Sequence, residues 1–261
     1  MPFRSFLLAA AIPATVFAQG FEYASGTSQY RITQVSKVTQ EMMGQKQGGE
    51  NTINQTVTVT LNRAAKDTVA GVLVLDSVSM NSTLGPAPSL THLLGLKVQT
   101  RVSPNGAVVY SVEGPREEEV PMASQLTTGM GAFLPKIRGR LAKGATWTDT
   151  TSGVIKQFGI DLNRKVRSNY AVLGDTSVAG ETGWRIERLD SISVSGSGVG
   201  QMGAMTLEGS SATKGQFVVT NKGAFLGAEG SEDGNVRVVI SANGAEISVT
   251  TSSTTRVQRV K

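Results

Sequence analysis

The sequence has no cysteine, one histidine and few aromatic residues, which make up 5% of its 261 positions. Without cysteine there are no disulfides, no thiolate metal ligands, no cysteine nucleophile and no thiol for a lipoprotein anchor. A single imidazole, His92, is a poor basis for a zinc site, which normally needs several protein ligands. The scarcity of aromatic rings leaves few platforms for stacking nucleic-acid bases. The composition therefore excludes thiol chemistry and disfavours metal and nucleic-acid sites.

Neither positive nor negative charge predominates strongly in the sequence. The chain carries 25 basic and 20 acidic residues, a formal net charge of +5. This mild excess favours solubility or loose attraction to anionic envelope surfaces, and we expect no nucleic-acid partner.

Long apolar runs are confined to the N-terminus. Arg4 precedes an apolar run over residues 6–17, and Val16-Phe17-Ala18 resembles a signal-peptidase site. The run is too short to span a bilayer core of about 30 Å as a helix. We therefore interpret residues 1–18 as a signal peptide cleaved before Gln19, with a retained anchor as the alternative. The mature chain, residues 19–261, is expected in the periplasm or outside the cell, with no transmembrane segment.

Short alternating segments bounded by Gly, Asn and Ser dominate the mature chain. Residues 56–61, Thr-Val-Thr-Val-Thr-Leu, have the period of a half-buried strand. Asn105-Gly106 is typical of a tight turn, whereas the Gly- and Gln-rich residues 42–51 predict a loop. No helix-length insert separates the strands outside the middle of the chain. The sequence predicts a mainly β fold, an antiparallel, strongly curved sheet or open barrel.

The middle of the chain, residues 115–147, has a different pattern. Apolar side chains recur there at helical spacing: Leu126, Met130, Phe133, Ile137 and Leu141. Acidic residues precede this stripe and basic residues follow it, in the order that the helix dipole favours. Pro135 and several glycines interrupt it. We therefore predict two short helices, residues 122–130 and 135–142, the second ended by Gly144 in a left-handed cap.

The two flanks of this stretch share a motif. Leu-Asp-Ser-Val-Ser-Met at residues 75–80 reappears as Leu-Asp-Ser-Ile-Ser-Val at residues 189–194, and residues 102–108 are echoed by residues 219–225. Chance similarity between two Ser- and Val-rich meanders is the alternative to an internal repeat. The repeat hypothesis divides a single β-rich domain into four parts: repeat 1 over about 25–114, a helical connector over 115–147, repeat 2 over about 151–230, and a closing hairpin over 235–260.

No motif indicates catalysis. Residues 198–203 match G-x-G-x-x-G, but no helix follows, so a flexible loop is the better interpretation. His92 lies in a Pro-rich segment, and no G-x-S-x-G elbow accompanies it. Asp76 and Asp190 are the best carboxylate pair, yet we expect each to hydrogen-bond a nearby turn instead. We therefore predict no catalytic, cofactor or metal site, and no enzyme activity.

Two short motifs carry a resemblance. They are Glu-Met-Met-Gly-Gln at residues 41–45, and Leu-Pro-Lys followed by Lys-Gly-x-x-Trp within residues 134–147. With the signal and two meanders, they make the chain similar to a group of exported bacterial β-rich proteins of unknown function. Many of those carry a lipobox cysteine, which this chain lacks. More remotely, the architecture is similar to the LolA/LolB-like outer-membrane lipoprotein carriers, which implies acyl chains held between sheet and helices.

Two functions remain open from the sequence. The first is binding or carrying an apolar ligand such as a lipid between the sheet and the central helix. The second is a structural or protein-interaction module of the envelope without a small-molecule site. The two tryptophans are either core anchors or pocket lining. The expected ligand-binding residues are Met122, Leu126, Met130, Phe133, Ile137, Trp147 and Trp184.

Overall fold

Nearly all regular structure in the described chain is β-strand. The computed structural model describes residues 21–260 except 43, 66–67, 84, 87–88, 103–107, 114–136, 158–159, 201–202 and 242–243. A 3-10 turn spans Thr91–Leu93. The strands are β1 (Gly26–Met42), β2 (Gln45–Ala65), β3 (Thr68–Ser82), β4 (Lys97–Val102), β5 (Val108–Glu113), β6 (Thr146–Gln157), β7 (Ile160–Val178), β8 (Glu181–Gly200), β9 (Gly203–Thr220), β10 (Phe225–Ile240) and β11 (Ala245–Arg259).

All the strands belong to one antiparallel sheet. Its order is β5-β4-β3-β2-β1-β11-β10-β9-β8-β7-β6. Neighbours in the sheet are also neighbours in the chain, with one exception: β1 pairs with β11, placing Tyr30 opposite Arg259. The strands at the two ends of this order are β5 and β6. The predicted mainly β, antiparallel, meandering fold is confirmed.

The two faces of the sheet differ in polarity because side chains alternate along each strand. In β7, the positions that point to one side are buried and include Ile160, Leu162, Val166, Tyr170 and Val172. Their neighbours along the strand are mostly exposed. We call the face with the buried positions the inner face and the opposite one the outer face.

Polar side chains cover the outer face. Several of them hydrogen-bond across neighbouring strands, including Thr33 to Asn54 at 3.0 Å, Thr148 to Asn169 at 3.1 Å and Ser210 to Asn235 at 3.2 Å. An antiparallel sheet with one apolar and one polar face packs its apolar face inward and leaves the other to water.

The inner face carries two apolar clusters. Cluster 1 draws on both halves of the sheet, and its least exposed members include Ile32, Val57, Leu73, Leu75, Val98, Val172, Ile186 and Val219. Cluster 2 lies further along β7 to β11 and consists of Ile160, Leu162, Met205, Leu207, Val238 and Ile247. Together they form the core of the described chain.

Three short segments outside the strands pack on cluster 1. They contribute Tyr23, then Leu90, Leu93 and Leu96, and finally Ile137 and Leu141. Backbone hydrogen bonds fix them: Phe21 N–H to Gly139 O at 3.1 Å, Ala24 N–H to Gly223 O at 2.9 Å, and Leu75 N–H to Leu96 O at 3.0 Å. All buried members of cluster 2, in contrast, come from strands.

Glycine permits close strand packing beside cluster 2. A Cβ atom on Gly196 would lie 2.8 Å from the Leu162 side chain and even closer to the Asp161 carbonyl oxygen. Since real Cβ atoms do not approach so closely, only glycine fits this position of β8.

The prediction of a helix over residues 135–142 is wrong for the part that the structure describes. Residues 137–142 have no helical structure, and Gly139 has a φ of +71°. Gly144 has the predicted positive φ, +82°, but in a turn before β6 rather than at a helix end. Packing of Ile137 and Leu141 on the sheet has overridden the helical periodicity. The other predicted helix, residues 122–130, lies outside the described residues.

The internal repeat is not confirmed. Leu75 is fully buried whereas its counterpart Leu189 is 41% exposed, and Asp76 is exposed whereas Asp190 is buried. The cause is a bulge in β3, where the pairing with β2 skips Asp76 and reverses the faces that follow. The leucine and the aspartate of the two motifs therefore lie on opposite faces of the sheet, whereas the last residues, Met80 and Val194, both face inward and pack against clusters 1 and 2.

Two predicted loops are wrong as well. β2 already begins at Gln45, so most of residues 42–51 form a strand, in which Gly49 pairs with Val38 of β1. Gly198 and Gly200 belong to β8, and Gly203 opens β9. Pairing with a long neighbouring strand outweighs the low strand propensity of glycine.

Candidate ligand-binding site

The structure brings three of the predicted ligand-binding residues together. Ile137 is buried in cluster 1, and Trp147 and Trp184 are half-buried against it. The other four, Met122, Leu126, Met130 and Phe133, lie outside the described residues. Both tryptophans are thus placed at the margin of the core.

An aromatic row runs from Trp147 into cluster 1. Trp147 of β6 is the register partner of Tyr170 of β7, and their rings stack in parallel with centroids 4.9 Å apart. Tyr170 in turn meets Phe217 of β9 edge to face at 6.4 Å. Such geometries add stabilisation beyond the burial of apolar area. The three rings of this row therefore pack together on the part of the inner face formed by β6 to β9.

A buried ion pair adjoins the row. The Arg188 guanidinium donates two hydrogen bonds to the Asp190 carboxylate, from Nε at 2.9 Å and from Nη2 at 2.7 Å. The Asp190 side chain is 4% exposed and that of Arg188 is 30% exposed. Arg188 also lies over the Tyr170 ring, 5.9 Å from its centroid. The sequence pointed to Asp190 but not to its partner, although residues two apart on a strand share a face.

A row of polar residues crosses the inner face between the two clusters. Each member is the register partner of the next, in sheet order from β6 to β2: Asp149, Ser168, Asp190, Thr213, Glu232, Ser253, Ser36 and Asn51. We call this row the polar belt. It places charge and hydroxyl groups inside a face that is otherwise apolar.

Some polar atoms on this face are buried without a hydrogen-bond partner. In the polar belt they are Asn51 Oδ1 and Thr213 Oγ1. A third, Oε1 of Gln55, belongs to a side chain that is only 3% exposed on the inner side of β2. Buried polar atoms in proteins nearly always have partners, and these three oxygens are exceptions among the described residues.

A small cavity opens beside cluster 1. Its volume is about 90 Å³, and it lies between the first residues of β1 and the β9–β10 turn. Tyr30, Val59, Leu61, Gly223 and Phe225 contribute to its lining. Small-molecule pockets are usually about 300–1,000 Å³, so this cavity suits water or a small group.

The described residues assemble no catalytic constellation. Asp76 accepts hydrogen bonds from Thr58 at 2.6 Å and Gln29 at 3.2 Å on the outer face, whereas Asp190 lies on the inner face. His92 is exposed in the 3-10 turn. No group of His, Asp or Glu in the described part of the chain could hold a metal ion. Asp76 and Asp190 are thus not a carboxylate pair, and their partners are strand residues rather than turns.

Two buried tyrosines, Tyr30 and Tyr170, belong to cluster 1. Burial raises the pKa of Tyr30 above its usual value of 10.0, against the opposing effects of a hydrogen bond with Ser28 and the charge of Arg259. Burial also raises the pKa of Tyr170, again against the positive charge of Arg188. Both phenols therefore stay protonated in the folded protein at a pH where they ionise in the unfolded chain.

Stability is expected to fall at alkaline pH for this reason. The contribution of both tyrosines is complete below about pH 10 and is lost as the pH rises through their raised pKa values, because the unfolded chain releases its protons first. Urea titrations across the alkaline range, followed by tyrosinate absorbance, measure the effect. The variant with both Tyr30→Phe and Tyr170→Phe should lose much of this pH dependence. An unchanged slope would contradict the assignment.

No protein-family model and no curated protein matches this sequence. Solved structures show distant likeness. A DUF1329 family protein from Desulfovibrio piger is 10% identical, with a TM-score of 0.21 over 86% of this chain and 84% of the other. A mutant of the Rh. blastica porin is 8% identical, with a TM-score of 0.28 over 89% of this chain and 100% of the other.

Pseudomonas aeruginosa OccK2 (OpdF) is a further similar structure. It is 8% identical, with a TM-score of 0.26 over 90% of this chain and 98% of the other. Likeness at these TM-scores carries no argument about the function of this chain. Within the described residues, no helix is long and apolar enough to span a membrane.

Proposed function

We propose that this chain is an exported, non-catalytic protein of the bacterial envelope that binds an apolar ligand such as a lipid on the inner face of its sheet. The observation that carries the proposal is cluster 2. Every buried member of it comes from the sheet itself, in contrast to cluster 1, on which three described segments pack. Four apolar side chains are only half-buried against this cluster, and a ligand can cover their exposed surface: Val194, Val236, Ile240 and Val249.

The rest of the chain supports this function. The first 18 residues have the pattern of a signal peptide, which directs the mature protein to the periplasm. Trp147 and Trp184 lie half-buried at the margin of cluster 1, across the polar belt from cluster 2, so a ligand that contacts them must extend along the inner face beyond cluster 2. Tryptophan combines a large apolar ring with one hydrogen-bond donor, which suits contact with a ligand that has an apolar body and a polar end.

Two experiments test the proposed ligand binding, one on the ligand that co-purifies with the protein and one on the purified protein without ligand. Mass spectrometry of organic extracts of the protein, purified from its own envelope, is expected to find a co-purifying lipid. The delipidated protein should also bind a fluorescent fatty acid saturably. Absence of both results would refute the proposal.

Neighbouring residues of β11 provide a matched pair of variants. Val249 is half-buried against cluster 2, and Thr250 is exposed on the outer face. Val249→Gln is expected to weaken binding of the fluorescent fatty acid about tenfold, because an amide replaces a buried apolar group. Thr250→Gln leaves the affinity unchanged. Equal affinities for the two variants would place the ligand elsewhere.

The second candidate is an envelope structural or protein-interaction module without a small-molecule site. The small size of the described cavity, about 90 Å³, favours it. In that case cross-linking in the intact envelope returns one stoichiometric protein partner, and organic extracts contain no bound lipid.

A further inference from the structure

The segment that precedes β6, residues 137–145, presents positive charge to solvent. Its larger apolar side chains, Ile137 and Leu141, are buried in cluster 1. Its basic side chains are exposed: Arg138, Arg140 and Lys143. The sequence has no acidic residue from position 120 to position 148, so the segment itself contains no charge that balances them.

Only part of this positive charge is neutralised by neighbouring elements. Arg138 forms an ion pair with Asp149 of β6 at 3.4 Å. Arg140 and Lys143 have no ion-pair partner among the described residues. Exposed cations without a partner leave a positive potential at the surface, which attracts anionic surfaces.

A third cation, Arg185, adjoins the segment near the end of β7. The aliphatic chain of Lys143 lies over Gly174, with its Cδ atom 3.8 Å from the position that a Cβ atom would take. Gly174 is the register partner of Arg185 in β8. The exposed Arg185 guanidinium donates a hydrogen bond to Thr176 Oγ1 at 2.8 Å and forms no ion pair with the described residues. Lys143 and Arg185 therefore lie close to the same stretch of β7.

An exposed leucine occupies the same stretch. The pairing of β7 with β8 shifts between Val172 and Gly174, and Leu173 is the extra residue of this bulge. Its side chain is 41% exposed. Asp175 is the acidic residue that follows it in β7, but its register partner is Trp184, which assigns the carboxylate to the inner face. The bulge thus leaves an apolar side chain in water beside two cations.

We infer that these side chains dock the protein on an anionic lipid bilayer. They form the basic rim: Arg140, Lys143, Leu173 and Arg185. A basic residue close to an anionic membrane strengthens binding by about fivefold, and an apolar side chain enters the boundary between head groups and acyl chains. A soluble polyanion would use only the charges, so the exposed leucine favours a bilayer. The basic rim is separate from cluster 2, and the inference does not depend on the proposed ligand.

Co-sedimentation with lipid vesicles tests the inference on the mature protein. We expect vesicles of phosphatidylglycerol and phosphatidylcholine in equal parts to bind about 100-fold more tightly than vesicles of phosphatidylcholine alone, because three cations contribute about fivefold each. Raising the NaCl concentration from about 0.1 M to about 1 M should remove most of this preference. The variant with both Arg140→Gln and Lys143→Gln should bind the anionic vesicles about 25-fold more weakly than wild type.

Two matched controls separate the basic rim from the overall charge and hydrophobicity of the protein. Lys37→Gln combined with Arg167→Gln removes two exposed cations from the outer face and should keep the wild-type affinity. Leu173→Ser should lower the affinity about tenfold, because the apolar contact with the bilayer is lost. Leu189 is also 41% exposed, and Leu189→Ser should leave the affinity unchanged.

The outcomes separate docking from ligand binding. Equal binding of wild type to both kinds of vesicle, or the same loss in the two double variants, overturns the inference. The variant with Arg140→Gln and Lys143→Gln should bind the fluorescent fatty acid like wild type when no vesicles are present. Thermal unfolding verifies the fold of each variant, and all are expected to unfold at the wild-type midpoint because the substituted side chains are exposed.

Discussion

Replacing Arg188 with methionine is expected to lower the free energy of unfolding by about 3 kcal/mol. The variant leaves the Asp190 carboxylate, 4% exposed, without its cation. Breaking a buried pair in this way costs about 3–5 kcal/mol, and the 30% exposure of Arg188 places the effect at the low end. The midpoint of urea denaturation, with the slope of the transition, measures the loss.

An exposed pair provides the matched control. Arg237 binds Glu246 at 2.6 Å, and both side chains are about half exposed. Arg237→Met is expected to leave the denaturation midpoint unchanged, since water screens such pairs. Adding Asp190→Asn to Arg188→Met should recover most of the loss, because no charge then stays buried. An effect of Arg188→Met no larger than that of Arg237→Met would show that Asp190 does not depend on Arg188.

Replacing Gly223 with alanine is expected to lower stability by about 2–4 kcal/mol, the sum of left-handed backbone strain and overpacking. Gly223 has a φ of +85°, and a Cβ atom there would lie 2.7 Å from Ala24 N and even closer to Glu22 O. The substitution is also expected to weaken the hydrogen bond from Ala24 N–H to Gly223 O. Hydrogen exchange should show faster exchange at residues 21–25 in addition to the global loss.

A substitution at Gly244 serves as a control that distinguishes backbone strain from steric clash. Its φ is +65°, but a Cβ atom there would have no atom of the described residues within 4 Å. Gly244→Ala should therefore cost about 1 kcal/mol from backbone strain alone and leave exchange at residues 21–25 unchanged. If both variants lose the same stability, the contact between Gly223 and the N-terminal segment does not matter for the fold.

Local alternation predicted the fold class because it reports directly which side of a strand is buried. Residues 56–61 form part of β2 with the expected pattern, Val57 and Val59 inward and the threonines outward. The ends of strands were less predictable. Residues 42–51 have the composition of a loop, but pairing with β1 gives partners to their backbone groups. The stabilisation from this pairing depends on the rest of the sheet and therefore cannot be predicted from the local sequence.

The candidate site was predictable only in part. Ile137, Trp147 and Trp184 all pack in or against cluster 1, and their role in ligand binding stays a prediction. Arg188 and Glu232 were missed, although the alternation of Val236 and Val238 through Gly234 already assigns Glu232 to the inner face. The bulge at Asp76 shows the limit of this reasoning. One extra residue in β3 changes which side chains of the strand point inward, and no residue type in the sequence predicts that bulge.

The pairing of β1 with β11 has a consequence for how the chain assembles. These strands are the first and last described in the chain, yet they are adjacent in the middle of the sheet. A polypeptide that emerges N-terminus first keeps one edge of β1 unpaired until β11 arrives. Contacts so distant in sequence slow folding, and the open edge invites aggregation. The pairing of β1 with β11 can therefore form only after the last strand of the sheet has been synthesised.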